Sequence, residues 1–182
     1  KQAFERIAQE LGWADEERGP LGKMIPRGAR VLVKPNLVLH ENQGPWGMEP
    51  VVTNLALIRA VVDAALRAGA AEVLVGDAPL QGCDFERLLR RTGMAEWAEQ
   101  LMQRESAFKG IRDFRRTTCV FINGVRQANE GVQTEDHFTL FDLGAKSLLE
   151  PITNDRAPFR VTCYDPRLLA RTHAPGRHQY LV

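Results

Sequence analysis

Lys34 and Asn36 stand two apart at the end of an apolar run, Val-Leu-Val-Lys-Pro-Asn-Leu-Val (31–38), and Asp77 closes a second run that begins Glu72-Val-Leu-Val-Gly76. An ammonium can neutralise a bound anion and a carboxamide can orient one. A carboxylate can act as a base, hold a ribose or ligate a cation. Between the two runs, Thr53-Asn54 precedes the apolar stripe Leu57, Ile58, Val61, Val62, Ala65, Leu66 and then Gly69. Thr53 is therefore expected to cap a helix whose amino-end N–H groups and dipole suit a carboxylate or phosphate. Lys34, Asn36, Thr53, Asn54 and Asp77 form the candidate ligand-binding set. Each also has a plainer reading: Lys34 can snorkel, Asn36 can close a turn, Thr53 can cap a helix with nothing bound, and Asp77 can shape a loop.

A metal site is the alternative, drawing on Asp77 with His40, His173 and His178. The last two flank Pro175-Gly176 and do not share a helical face, so the usual zinc pair at i, i+4 is absent. Arg171 and Arg177 beside them leave an anion site equally open. Residues 76–82, Gly-Asp-Ala-Pro-Leu-Gln-Gly, match neither a Walker A loop nor the dinucleotide G-x-G-x-x-G, and the chain has no G-x-S-x-G or H-E-x-x-H. No cofactor and no catalytic residue is nominated, and whether the protein is an enzyme stays open. The residues define a place for a ligand without defining a reaction.

The elements that must position these groups follow from periodicity. Two apolar runs around one amphipathic helix make a β-α-β unit, and open parallel sheets bind ligands at the carboxyl ends of their strands. Val31 to Val38 is expected to be a strand covered on both faces until Pro35, which has no N–H for a ladder, ends regular pairing near Lys34. Residues 40–50 form a long loop, whose Trp46 can cover a ligand or pin the loop to the body. Phe4, Ile7, Ala8 and Leu11 predict a helix at the start. Asp84 caps another with Leu88 inward, and a further helix carries Trp97 and Leu101. From residue 111 onward, Ile111 to Phe114, Thr118 to Ile122 and the turn Asn123-Gly124 predict a β-rich insertion with a hairpin over 111–144. Phe159 to Cys163 reads as a strand and Asp165-Pro166 as a helix start. The fold class is α/β: a Rossmann-like, mainly parallel sheet flanked by helices, in one domain over 1–182.

Composition bounds the rest. The 182 residues suit one domain, and 44% hydrophobic content supports a core. Lys plus Arg number 24 against 23 Asp plus Glu, so no overall field draws the chain to nucleic acid or an anionic membrane. Cys83, Cys119 and Cys163 lie far apart and are odd in number, which fits neither a disulfide framework nor a metal-ligand run and points to the reducing cytoplasm. No run approaches the roughly 20 apolar residues of a membrane span. Lys1 opens inside a helical pattern and Tyr180-Leu-Val182 reads as the start of a strand, so the chain is expected to be part of a longer protein.

Val-Leu-Val-Lys-Pro-Asn-Leu (31–37), Thr53-Asn54, Ala68-Gly69-Ala70 and Val75-Gly76-Asp77 together resemble the bacterial and archaeal family called domain of unknown function 362. Phe141-Asp-Leu-Gly144 with Ser147, Arg160-Val-Thr162, Tyr164-Asp-Pro166 and the stretch from His173 to Leu181 resemble its middle section, so the likeness runs roughly over 28–182. The resemblance implies an α/β fold and no particular reaction. Members of that family usually continue past a point like Val182 into a Pro-Lys-Leu-Lys-Thr-His-type segment. Some also carry a ferredoxin-like cysteine cassette, for which the scattered cysteines here offer no ligands. The expectation is an α/β domain that binds a small anionic or phosphorylated ligand, with Lys34 as the charge, Asn36 as the orienting amide and Asp77 as base or cation ligand. A non-catalytic scaffold, whose partner is the rest of a longer chain or a second subunit, is the rival. A metal-dependent enzyme completed by residues outside this chain is a third possibility.

Overall fold

The computed structural model describes residues 2–115, 117–122, 125–131, 140–142 and 179–181. They belong to two compact units, Lys1–Val132 and Gln133–Val182.

The first unit is an α/β layer structure. Helix α1 (Gln2–Glu10) leads through a surface connection into strand β1 (Arg30–Val33), helix α2 (Leu55–Arg67) and strand β2 (Glu72–Asp77). Helices α3 (Phe85–Arg91) and α4 (Met94–Arg104) then return the chain to strand β3 (Phe108–Asp113). The three strands form one parallel sheet in the order β1-β2-β3, with helical crossovers as parallel pairing requires. Central β2 has Val73 and Val75 at 0% exposure, packed in one cluster with Ile58, Val62 and Ala65 of α2 and Leu88, Met94 and Trp97 of α3 and α4. Each buried Val, Ile, Leu or Met among them contributes on the order of 1.5–3 kcal/mol by leaving water. Helix α2 ends as its sequence predicts, with Gly69 at φ +90 just past the Ala68 cap.

The ladder between β1 and β2 runs from Arg30–Glu72 to Val33–Val75 and stops before Lys34-Pro35, where the missing proline N–H ends it. Cover on both faces of β1 is not what the structure shows. Leu32 is 56% exposed and Val31 and Val33 are only half-buried, because among the described residues β1 is an edge strand with β2 on one side. The opening helix is also less covered than its apolar face predicts. Ala8 is buried, while Ile7 and Leu11 are half exposed.

Ile111 to Phe114 is not the start of a β-rich insertion. The α3–α4 crossover delivers this segment to the parallel sheet, so Ile111 to Asp113 lie in β3. Val73 pairs with Phe108 but Val75 pairs with Ile111, so β3 carries one extra residue at this step. Gly110, at φ +87, takes up the irregularity, and a Cβ there would come 3.1 Å from the Met102 sulfur. The shift decides which residues end side by side: Gly76 with Arg112, and Asp77 with Asp113.

Strand β4 (Thr117–Ile122) pairs antiparallel with β5 (Val125–Gly131), from Thr117–Gly131 to Ile122–Val125. The Asn123-Gly124 turn lies outside the described residues, as do Phe159 to Cys163 and Asp165-Pro166. In the second unit, β6 (Leu140–Asp142) pairs antiparallel with β7 (Gln179–Leu181).

Candidate functional site

The carboxyl end of β2 is where the chain concentrates its polar contacts. Asp77 is 7% exposed, yet both of its carboxylate oxygens are engaged. Oδ1 lies 2.8 Å from Lys34 Nζ, and Oδ2 accepts the Leu37 N–H at 2.7 Å. A buried carboxylate is tolerable only with such partners. Here they also clamp the chain as it leaves β1, on either side of Pro35. Gly76 makes room beside the clamp: its Cα lies against the Phe114 ring, and any Cβ would overlap that ring. Phe114 in turn donates its N–H to the Asp77 carbonyl at 2.8 Å.

Lys34 is the outward half of the clamp. Its ammonium also donates to the Pro35 carbonyl at 3.0 Å, while 64% of the side chain remains exposed. An ammonium has three N–H donors. Asp77 and Pro35 use two.

Asn36 and Thr53 form a second clip. Thr53 donates its N–H to the Asn36 carbonyl at 2.9 Å, and Thr53 Oγ1 accepts the Asn36 N–H at 2.9 Å. Thr53 is thus not the cap of α2, because its hydroxyl is spent on Asn36. Asn54 is the N-cap, with its side-chain carbonyl accepting the Ala56 N–H at 2.8 Å and its amide donating to Glu49 at 3.2 Å. Lys34, Asn36, Thr53 and Asp77 therefore meet at one strand end through direct contacts or adjacent residues, and Asn54 follows at the first turn of α2.

The nominated metal ligands do not gather in the same way. His40 Nδ1 accepts the Asp84 N–H at 3.0 Å, which ties it to the start of α3. His173 and His178 lie outside the described residues. No group of three His, Cys, Asp or Glu side chains arranged for a metal occurs among the described residues.

Sequence reasoning missed Arg115. It is 4% exposed, and its Nε lies 3.0 Å from both Asp113 oxygens. One terminal nitrogen donates to the carbonyls of Leu80, Gln81 and Cys83 at 2.9, 3.3 and 2.8 Å. One guanidinium thus sets the loop after β2. The signal available in sequence was slight: the segment Phe108-Lys-Gly-Ile-Arg-Asp113 is half charged, and only its close on Asp113, followed by Phe114-Arg115, repeats the strand-then-Asp pattern of Val75-Gly-Asp77. Cys83 is packed beside this arginine at 4% exposure. Burial pushes its thiol up to about 11, against the pull of the Arg115 guanidinium.

Three clefts are lined by described residues of α1, α2, α4 and the α1–β1 connection, the largest of about 540 Å³ beside Arg59, Trp97 and Arg104. None of the three is lined by Lys34, Asn36, Thr53 or Asp77.

A parallel sheet flanked by helices, with polar side chains fastened across the carboxyl ends of adjacent strands, defines an α/β protein built on the β-α-β plan. The family model described as Domain of unknown function (DUF362) matches residues 31–124, and the chain belongs to that family. The matched span opens at Val31 in β1 and takes in both clamps. The segments around Phe141, Arg160, Tyr164 and His173 lie beyond it. Neither a curated protein nor a solved structure matches the chain. No helix among the described residues is long and apolar enough to cross a membrane.

Proposed function

We propose that this chain is a ligand-binding α/β domain of a cytoplasmic protein, taking a small anionic or phosphorylated ligand at the carboxyl ends of β1 and β2. The observation that carries the reading is the Lys34 ammonium. Buried Asp77 fixes it, two of its donors are used, and the side chain is still 64% exposed. A cation held in place before a ligand arrives loses little freedom on binding. The third N–H is the donor offered to the anion, and the Asn36–Thr53 clip holds the amino end of α2 beside the same strand end. Asp77 is then a positioning residue rather than a base or cation ligand, since a new partner would have to displace Lys34 or the Leu37 N–H.

Titration calorimetry with inorganic phosphate, on the chain and on Lys34→Ala, tests this. The substitution should weaken binding about tenfold, the scale of one charge-assisted hydrogen bond, and added salt should weaken the parent as well. Equal affinity in the two proteins sinks the reading. A chain that binds no phosphate favours the scaffold alternative, whose partner is the remainder of a longer chain or a second subunit. That alternative has its own support, because Asp77, Thr53 and His40 all have protein partners already.

A further inference from the structure

We infer that Trp46 covers the ligand at this site, and that the ligand joins its anionic group to a flat aromatic or heterocyclic body. The inference rests on the anion reading above and extends it to the shape of the ligand. Residues 39–50 leave the end of β1 and return to α2, and the loop is closed at its neck. Leu37 bridges Val52, and Val38 donates its N–H to the Val51 carbonyl at 2.9 Å, next to the Asn36–Thr53 clip.

Both shoulders of the loop are tied down. His40 accepts the Asp84 N–H on one side, and Glu49 accepts the Asn54 amide at the cap of α2 on the other. With neck and shoulders held, the tip presents Trp46 at 76% exposure. A tryptophan that pinned the loop would be buried, as Trp97 is at 6%. Here His40 and Glu49 do the pinning and the indole is left over.

An indole is the largest apolar face a side chain offers and has two rotatable side-chain bonds, so it stacks on a planar ligand with little loss of freedom. Pro45 precedes it, and Gly47, at φ +59, follows it. These neighbours set the tip backbone without adding bulk. Glu49, three residues on, contacts the cap of α2, so the tip belongs to the same end of the sheet as the anion site.

Calorimetry with two probes, inorganic phosphate and phenyl phosphate, tests the inference on the full chain and on Trp46→Phe and Trp46→Ala. Phenyl phosphate should bind the parent about tenfold more tightly than inorganic phosphate, the scale of one ring stacked on an aromatic side chain. Trp46→Phe should keep most of that gain and Trp46→Ala should lose it. If phosphate binds and the phenyl group adds nothing, or the gain survives Trp46→Ala, the inference falls and the anion reading stands. If neither probe binds, the anion reading fails and takes the inference with it. Sedimentation that finds a dimer of the parent and a monomer of Trp46→Ala would give the indole to a second copy and overturn the ligand role.

Discussion

Asp77 and Asp113 end adjacent parallel strands in register, and each holds one cation, but the two pairs live in different media. The Lys34 side chain is 64% exposed and the Arg115 side chain 3%. Arg115 uses its planar fork on Asp113 and three loop carbonyls, and has become part of the interior. Lys34 is a point charge held from below by Asp77, and water covers the rest. The same pairing of charges thus builds a fastener where water is excluded and leaves a cation at the surface where it is not.

The contrast breaks most visibly at Arg115. Arg115→Met keeps an apolar stem but strips the guanidinium from Asp113 and from the Leu80, Gln81 and Cys83 carbonyls, so stability in urea should fall by about 3–5 kcal/mol. A loss below about 1 kcal/mol would mean that the two clamps are equivalent after all.

The thiol beside Arg115 reports the same dryness through pH. Its folded-state value stands at about 11 against an ordinary 9.0, so the folded state holds the proton more tightly. Its contribution to stability is complete below the ordinary value and is lost as pH rises through the folded one, by up to about 2–3 kcal/mol. Urea midpoints measured from pH 8 upward should therefore fall more steeply for the parent than for Cys83→Ala. Parallel curves would show that water reaches the thiol.

On the open side, Asp77→Asn should cost about 2 kcal/mol, since a neutral amide replaces a carboxylate that binds both Lys34 and the Leu37 N–H. Lys34→Ala should cost about 1 kcal/mol or less, because water takes the place of an exposed ammonium. If Lys34→Ala proved as costly as Asp77→Asn, the clamp would be closed in the manner of Arg115, and the cation would not be on offer to a ligand.

Much of the first unit was legible in the chain. The stripe of α2, the Asp84 cap, the Gly69 terminator and the stop at Pro35 depend on a few neighbouring residues and on backbone sterics, so they stand where periodicity and capping put them. The site was legible in part. Lys34, Asn36 and Asp77 stand near one another because strand ends in a β-α-β unit share one edge, but nothing local shows that both Asp77 oxygens are engaged within the fold. Its partners, Lys34 Nζ and the Leu37 N–H, lie some forty residues away in sequence. Spacing alone favours Thr53 over Asn54 as the cap for a similar reason, since nothing local says that its hydroxyl is claimed by Asn36.

Local chemistry, then, settles which segments become helix or strand and where each one stops, because those choices balance terms within one or two turns. Edge or centre, register and burial are settled by pairing between distant segments. The extra residue at Gly110 brings Asp113 beside Asp77 where an unbroken ladder would have brought Arg112. That one step, together with the exclusion of water from Arg115 and its admission to Lys34, makes two similar strand ends into a fastener and a candidate site.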